Sequence, residues 1–137
     1  MSTPREIINL PQAEYAYETF HFAQANKVGD TIWVSGQVGI DAEMNPADGM
    51  AEQARLAFLS LQAILAAAGA TMADVVELTT FHTDLHSDME AFMATKDAFF
   101  PDRYPAWTAI GVSQLAIPGL LVEVRATAVA GSGAASA

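Results

Sequence analysis

MAEQARLAFLSLQAILAAAGATMADVVELTTFHT, residues 50 to 83, reads as a helix, a stop and a strand. Ala54, Ala57, Phe58, Leu61, Leu65 and Ala68 recur at i, i+3, i+4 and i+7, which predicts a helix over Met50 to Ala68 with one apolar stripe. Gly69 stands just past it, where a left-handed C-cap favours glycine. Val75 to Thr83 (VVELTTFHT) is rich in β-branched residues and predicts a strand. A one-striped helix followed directly by such a strand implies a helix layer on a sheet.

Working outward, Ser87 has Glu90 three residues on, the spacing of a capping box. Met89, Phe92, Met93, Lys96, Phe99 and Phe100 continue a second helix, which Pro101 stops. Ala106 to Val112 reads as a strand. Leu120 to Val129 (LLVEVRATAV) is another, alternating Leu121, Glu123, Arg125 and Thr127 with Leu120, Val122, Val124 and Ala126. Towards the N-terminus, Asp41 to Gly49 carries Asn-Pro and Asp-Gly and reads as a loop. Thr31 to Ser35 and the aromatic Tyr17 to Ala25 (YETFHFAQA) read as strands of a hairpin turned by Val28-Gly29-Asp30. Glu6 to Leu10 is a candidate edge strand. The order ββ–α–β–α–ββ predicts an α+β sandwich, a mixed sheet with two helices packed on one face. Residues 1–130 form a single domain, and the low-complexity 131–137 is expected to be a disordered tail.

The chain has 137 residues, enough for one core without staples. It has no cysteine, which excludes disulfides, thiolate nucleophiles and Cys-ligated metal. The formal net charge is −10, and Arg5, Lys27, Arg55, Lys96, Arg103 and Arg125 are scattered. Phosphate backbones and anionic lipid are therefore poor partners, so neither nucleic acid nor membrane is expected. Met1 to Tyr15 has no apolar run of signal-peptide length, and a soluble cytoplasmic protein is expected. Apolar residues make up 52% and charged ones only 16%, which implies that other subunits cover part of the surface.

Glu123 interrupts an apolar strand. It is either a general acid/base at a partly buried site or a structural carboxylate paired with Arg125, which shares its face. Trp107 is either a ring that stacks on a ligand or a core or interface residue. Gly36 in Ser35-Gly36-Gln37 reads as backbone approaching a ligand or a neighbouring chain. His82 and His86 lie in a strand-to-loop segment that does not converge two imidazoles, and His21 has no carboxylate motif nearby, so no metal site is expected. No phosphate-binding loop or nucleophile elbow occurs, and no motif requires a cofactor.

Seven short motifs in order resemble the Rid (YjgF) reactive-intermediate deaminase family. They are Phe22-Ala23-Gln24-Ala25, Trp33-Val34-Ser35-Gly36-Gln37, Glu52-Gln53-Ala54-Arg55, Ala67 to Val76, Thr79 to Leu85, Tyr104-Pro105-Ala106 and Leu121-Val122-Glu123-Val124. The resemblance covers residues 17 to 130. It implies a chorismate-mutase-like fold and a homotrimer with a small-molecule pocket between subunits. It also implies hydrolysis of an enamine or imine, with Glu123 as the carboxylate that orients or activates water. The family's Arg after Pro-Ala, which grips a substrate carboxylate, is Trp107 here. The family Tyr is Phe22, the Cys is Ala109 and a pocket Asn falls at Met93. Gly36 and Gln37 are kept. An indole offers one donor and no charge where guanidinium offers a fork. The altered pocket thus implies a hydrolase/deaminase-like or tautomerase-like enzyme for a reactive enamine, imine or carbonyl substrate that is less anionic and more apolar or aromatic than a 2-iminoacid, unless Arg125 substitutes for the missing clamp. The alternative is a non-catalytic trimeric binding or scavenging module.

Overall fold

In the computed structural model, which describes residues 3–134, the chain runs β1 (Arg5–Ile8), α1 (Glu14–Phe20), β2 (Ala25–Val28), β3 (Thr31–Gln37), α2 (Met50–Ala67), β4 (Val75–His82), α3 (Met89–Phe99), β5 (Ala106–Gly111) and β6 (Val122–Val129). Single 3-10 turns lie at Pro11–Ala13 and Met72–Asp74. The strands form one sheet in the order β1-β2-β3-β6-β4-β5. The β4–β5 pair is parallel and the other pairs are antiparallel, so the sheet is mixed as expected. β6 lies between β3 and β4, and α2 carries the chain over it.

Strand alternation decides what faces the helices. Val122, Val124, Ala126 and Ala128 of β6 are buried beneath the α2 stripe of Ala54, Ala57, Phe58, Leu61 and Leu65. Phe58 joins the two helices, its ring centroid 5.8 Å from Phe92 and 5.2 Å from Phe99. α2 has no basic residue in its last turn, and Lys27 of β2 supplies the missing cation by donating to Ala68 O at 2.7 Å. Gly69 takes φ +82° directly after, as its C-cap position requires.

Three expectations change. Among the described residues there are three α-helices, of which α2 and α3 form the layer on the sheet. The segment read as a strand from Tyr17 begins as helix α1, and β2 starts only at Ala25. Pro11 opens the preceding turn, Glu14 suits a helix first turn, and His21 ends the helix in the left-handed region at φ 61°, donating to Tyr17 O. The aromatic alternation that suggested a half-buried strand belongs instead to exposed rings, Tyr15, Phe20 and Phe22. Second, α3 is capped by Asp88, not Ser87, and no side chain bonds the cap. Third, Gly131 to Ala134, read as the start of a disordered tail, includes a docked glycine. Gly133 N–H donates to Asp74 Oδ1 at 2.8 Å and Arg103 Nη1 to Gly133 O at 2.8 Å. Residues 135–137 lie outside the described residues. Burial pushes the Asp74 carboxyl up, but N–H bonds from Gly133 and Thr71 outweigh it and hold it below the ordinary range. Among the described residues no helix is long and apolar enough to cross a membrane.

Candidate functional site

Glu123 follows Val122 on β6, so its side chain leaves the helix-covered face and stands half-buried on the other. None of the hydrogen bonds or ion pairs among the described residues involves its carboxylate. The ion pairs there are Arg55–Glu52 and Lys96–Asp97, and Arg125, opposite Thr79, is exposed. The Glu123–Arg125 pair is therefore not formed. Burial raises the Glu123 carboxyl above its ordinary 4.5.

The β3–β6 register shifts between Val34 and Gln37, which brings Gly36 over Glu123. A Cβ at position 36 would overlap Glu123 Oε2, so only glycine admits the carboxylate there. Gly36→Ala should therefore push Glu123 outward. Its carboxyl titration, followed by NMR, should fall back towards 4.5 while the fold persists. An unmoved midpoint would refute this account of Gly36.

Phe22 is placed by its neighbours. Ser35 Oγ donates to Ala23 O at 2.6 Å, Leu10 N–H to Gln24 Oε1 at 2.8 Å, and Gln24 N–H to Asn9 Oδ1 at 2.9 Å. Phe22, Gly36 and Glu123 then line one cavity of about 710 Å³, between α1, the segment after β3 and the segment before β6. Its other walls include Tyr15, Phe20, Val38, Met44, Ile117 and Leu120. Gln37 lines a smaller space of about 290 Å³ with Phe22 and Gly36, and its amide is engaged by Ser35 O and Ser60 Oγ.

The remaining residues proposed from sequence lie elsewhere in the chain. Trp107 and Ala109 pair with Leu78 and Thr80, whose side chains face the helices. The Trp107 indole donates to Thr80 Oγ1 at 3.0 Å, with Lys96 Nζ 4.6 Å from its ring and Phe92 beside it. Met93 is exposed on α3. Within one chain these three do not meet Glu123. Thr80 Oγ1 also pairs with Nε2 of the fully buried His82 at 2.8 Å, and burial lowers the His82 imidazole below its ordinary value. No three His, Asp or Glu side chains among the described residues group to hold a metal ion.

One site-forming residue lay unrecognised inside a quoted motif. Gln53 is buried on α2, and its Nε2 donates to Ala47 O at 3.0 Å and Gly119 O at 3.1 Å. Its Oε1 accepts from Leu121 N–H at 2.8 Å. The amide thus ties together the segments on either side of the cavity.

Residues 13–130 match the family model described as Endoribonuclease L-PSP. The chain is 41% identical over 113 residues to RutC family protein YjgH of Escherichia coli K12, covering 82% of this chain and 85% of that one. It is 32% identical over 129 residues to the 2-iminobutanoate/2-iminopropanoate deaminase of Homo sapiens, covering 93% and 91%. The solved structure of protein YJGH superposes with a TM-score of 0.83 at 37% identity, over 92% of this chain and 96% of that one.

Proposed function

Because the chain belongs to the endoribonuclease L-PSP family, the YjgF/RutC family its motifs resemble, we propose that it hydrolyses a small reactive imine, enamine or related carbonyl compound at Glu123. The observation that carries this is the unpartnered carboxylate beneath Gly36, facing a large and mostly apolar cavity. Desolvation raises such a carboxyl towards the pH at which it can both take and give a proton. In the reaction, water adds across C=N while Glu123 takes its proton. Glu123 returns that proton to nitrogen, giving the carbinolamine; it then takes the hydroxyl proton and delivers it to nitrogen as the C–N bond breaks, so that ammonia leaves and the carbonyl forms. A net charge of −10 argues against RNA as the substrate, since phosphates would be repelled.

Trp107 is committed to Thr80 and Lys96 and offers no fork for a carboxylate. We therefore place 2-iminoacids outside the substrate range. Ammonia release from 2-iminobutanoate made in situ should stay near the uncatalysed rate, while imines that lack a carboxylate are hydrolysed. Rapid hydrolysis of 2-iminobutanoate would overturn that substrate assignment. No acceleration of any imine, enamine or carbonyl substrate would favour the binding or scavenging module.

We further propose a cytoplasmic homotrimer. Trp33 and Ile110 are exposed on the sheet face that the helices leave bare. Glu123, Phe22 and Gly36 would meet Met93, Trp107 and Ala109 only across two copies. Sedimentation should give a particle of three chains at micromolar concentration, and a monomer would refute the assembly.

A further inference from the structure

The cavity at Glu123 has a one-sided chemistry. Three aromatic side chains, Tyr15, Phe20 and Phe22, line it together with two carboxylates, Glu123 and Asp41. No lysine, arginine or histidine is among its described lining residues. Three of the six basic side chains are engaged elsewhere: Lys27 on Ala68 O, Arg55 on Glu52 and Arg103 on Gly133 O. Asp41 accepts N–H bonds from Glu43 and Asn45 at 2.9 Å each, and the Asn45 bond foremost holds its carboxyl below the ordinary range. Tyr15 and Phe20 meet edge to face, their centroids 6.2 Å apart.

We propose that this cavity selects a small organic cation. An ammonium or iminium nitrogen would sit between Glu123 and the aromatic rings, with an apolar body along Val38, Ile117 and Leu120. Aromatic faces attract a cation placed within about 6 Å of the ring centroid, and the neighbouring carboxylates add to that attraction. A ligand carboxylate in the same place would meet the like charge of Glu123, with Asp41 at the cavity wall, and no cationic side chain of the same chain lines the cavity to offset it. The chain's net charge of −10 also raises the local concentration of cations over anions. The inference rests on the proposed function in taking this cavity as the substrate's. It adds that the substrate comes from a reaction that oxidises or condenses a carboxylate-free amine.

Three matched probes test it: phenethylammonium, 2-phenylethanol and 3-phenylpropionate, titrated into the protein by calorimetry at neutral pH and low salt. The cation should bind about tenfold tighter than the alcohol, and the alcohol tighter than the anion. Glu123→Gln should cut the cation's advantage to less than about threefold while leaving the alcohol unchanged. The proposal is overturned if the anion binds as tightly as the cation, or if the preference survives Glu123→Gln. Ammonia release is measured on the same preparations. Cation preference without turnover would sink only the catalytic reading, and turnover with an anion preference would sink only this one.

Discussion

On the proposed function, Glu123→Gln is expected to bring turnover down by about 10²–10⁴-fold, the usual worth of a positioned general acid/base, and at neutral pH to raise the melting temperature. The two effects share one cause. The native carboxyl sits half-buried without a partner, so its pKa is raised above the unfolded value of 4.5. The sign follows from proton linkage. Above the unfolded pKa the native state holds its proton more tightly than the unfolded chain does, so stability from this site is full below that value. It is lost as pH rises through the folded value. At neutral pH the wild-type protein therefore carries an ionised, poorly solvated group that glutamine removes. Melting curves across pH should show the variant gaining over wild type as pH rises, and the gap closing below about pH 4.5. A variant that keeps its turnover would remove Glu123 from the chemistry. One that melts lower at neutral pH would show the carboxylate to be structural.

Gln53→Leu is expected to destabilise the fold by about 2–5 kcal/mol. The magnitude comes from the groups left behind. Ala47 O, Gly119 O and Leu121 N–H each lose their side-chain partner, and leucine supplies none. The functional loss should exceed the thermodynamic one. The segment from Ile40 to Ala47 and the one from Ala116 to Leu121 both hang on this amide, and both wall the Glu123 cavity. Hydrogen exchange should show these two segments opening before β4 and β6 do. Gln53→Glu supplies a control with the same shape that keeps the acceptor and loses the two donors. Unchanged exchange in both variants would refute the tie.

The long elements were legible because one signal dominated each. The α2 stripe has a single consistent period, and the β-branched run of Val75 to His82 has no competing helical one. Tyr17 to Ala25 reads as a strand although its first part is helical, because a short aromatic segment fits period 2 as well as it fits 3.6. The deciding features were local: Pro11 before it and a left-handed His21 within it. Phe22, Gly36 and Glu123 line one cavity within the chain. That Trp107 and Ala109 share a face was readable from alternation. Which face it is depends on the register of β5 against β4, and no local pattern encodes that. The three bonds of Gln53 were equally hidden, because an isolated glutamine on an apolar stripe does not announce which loops will reach it.

The central place of β6 governs when this protein can fold. It hydrogen-bonds to β3 on one side and β4 on the other, yet it comes after every other described strand. During synthesis, β1 to β3 and β4 to β5 are two unjoined half-sheets until residues 122–129 leave the ribosome. Pairing Thr31 with Val129 spans most of the chain, so loop closure must precede the contacts that reward it. The nascent chain therefore waits with the inner edges of β3 and β4 unpaired, edges that other chains can also pair with. Slower translation would lengthen that exposure without giving earlier structure, and a truncation within β6 would remove the seam of the sheet itself.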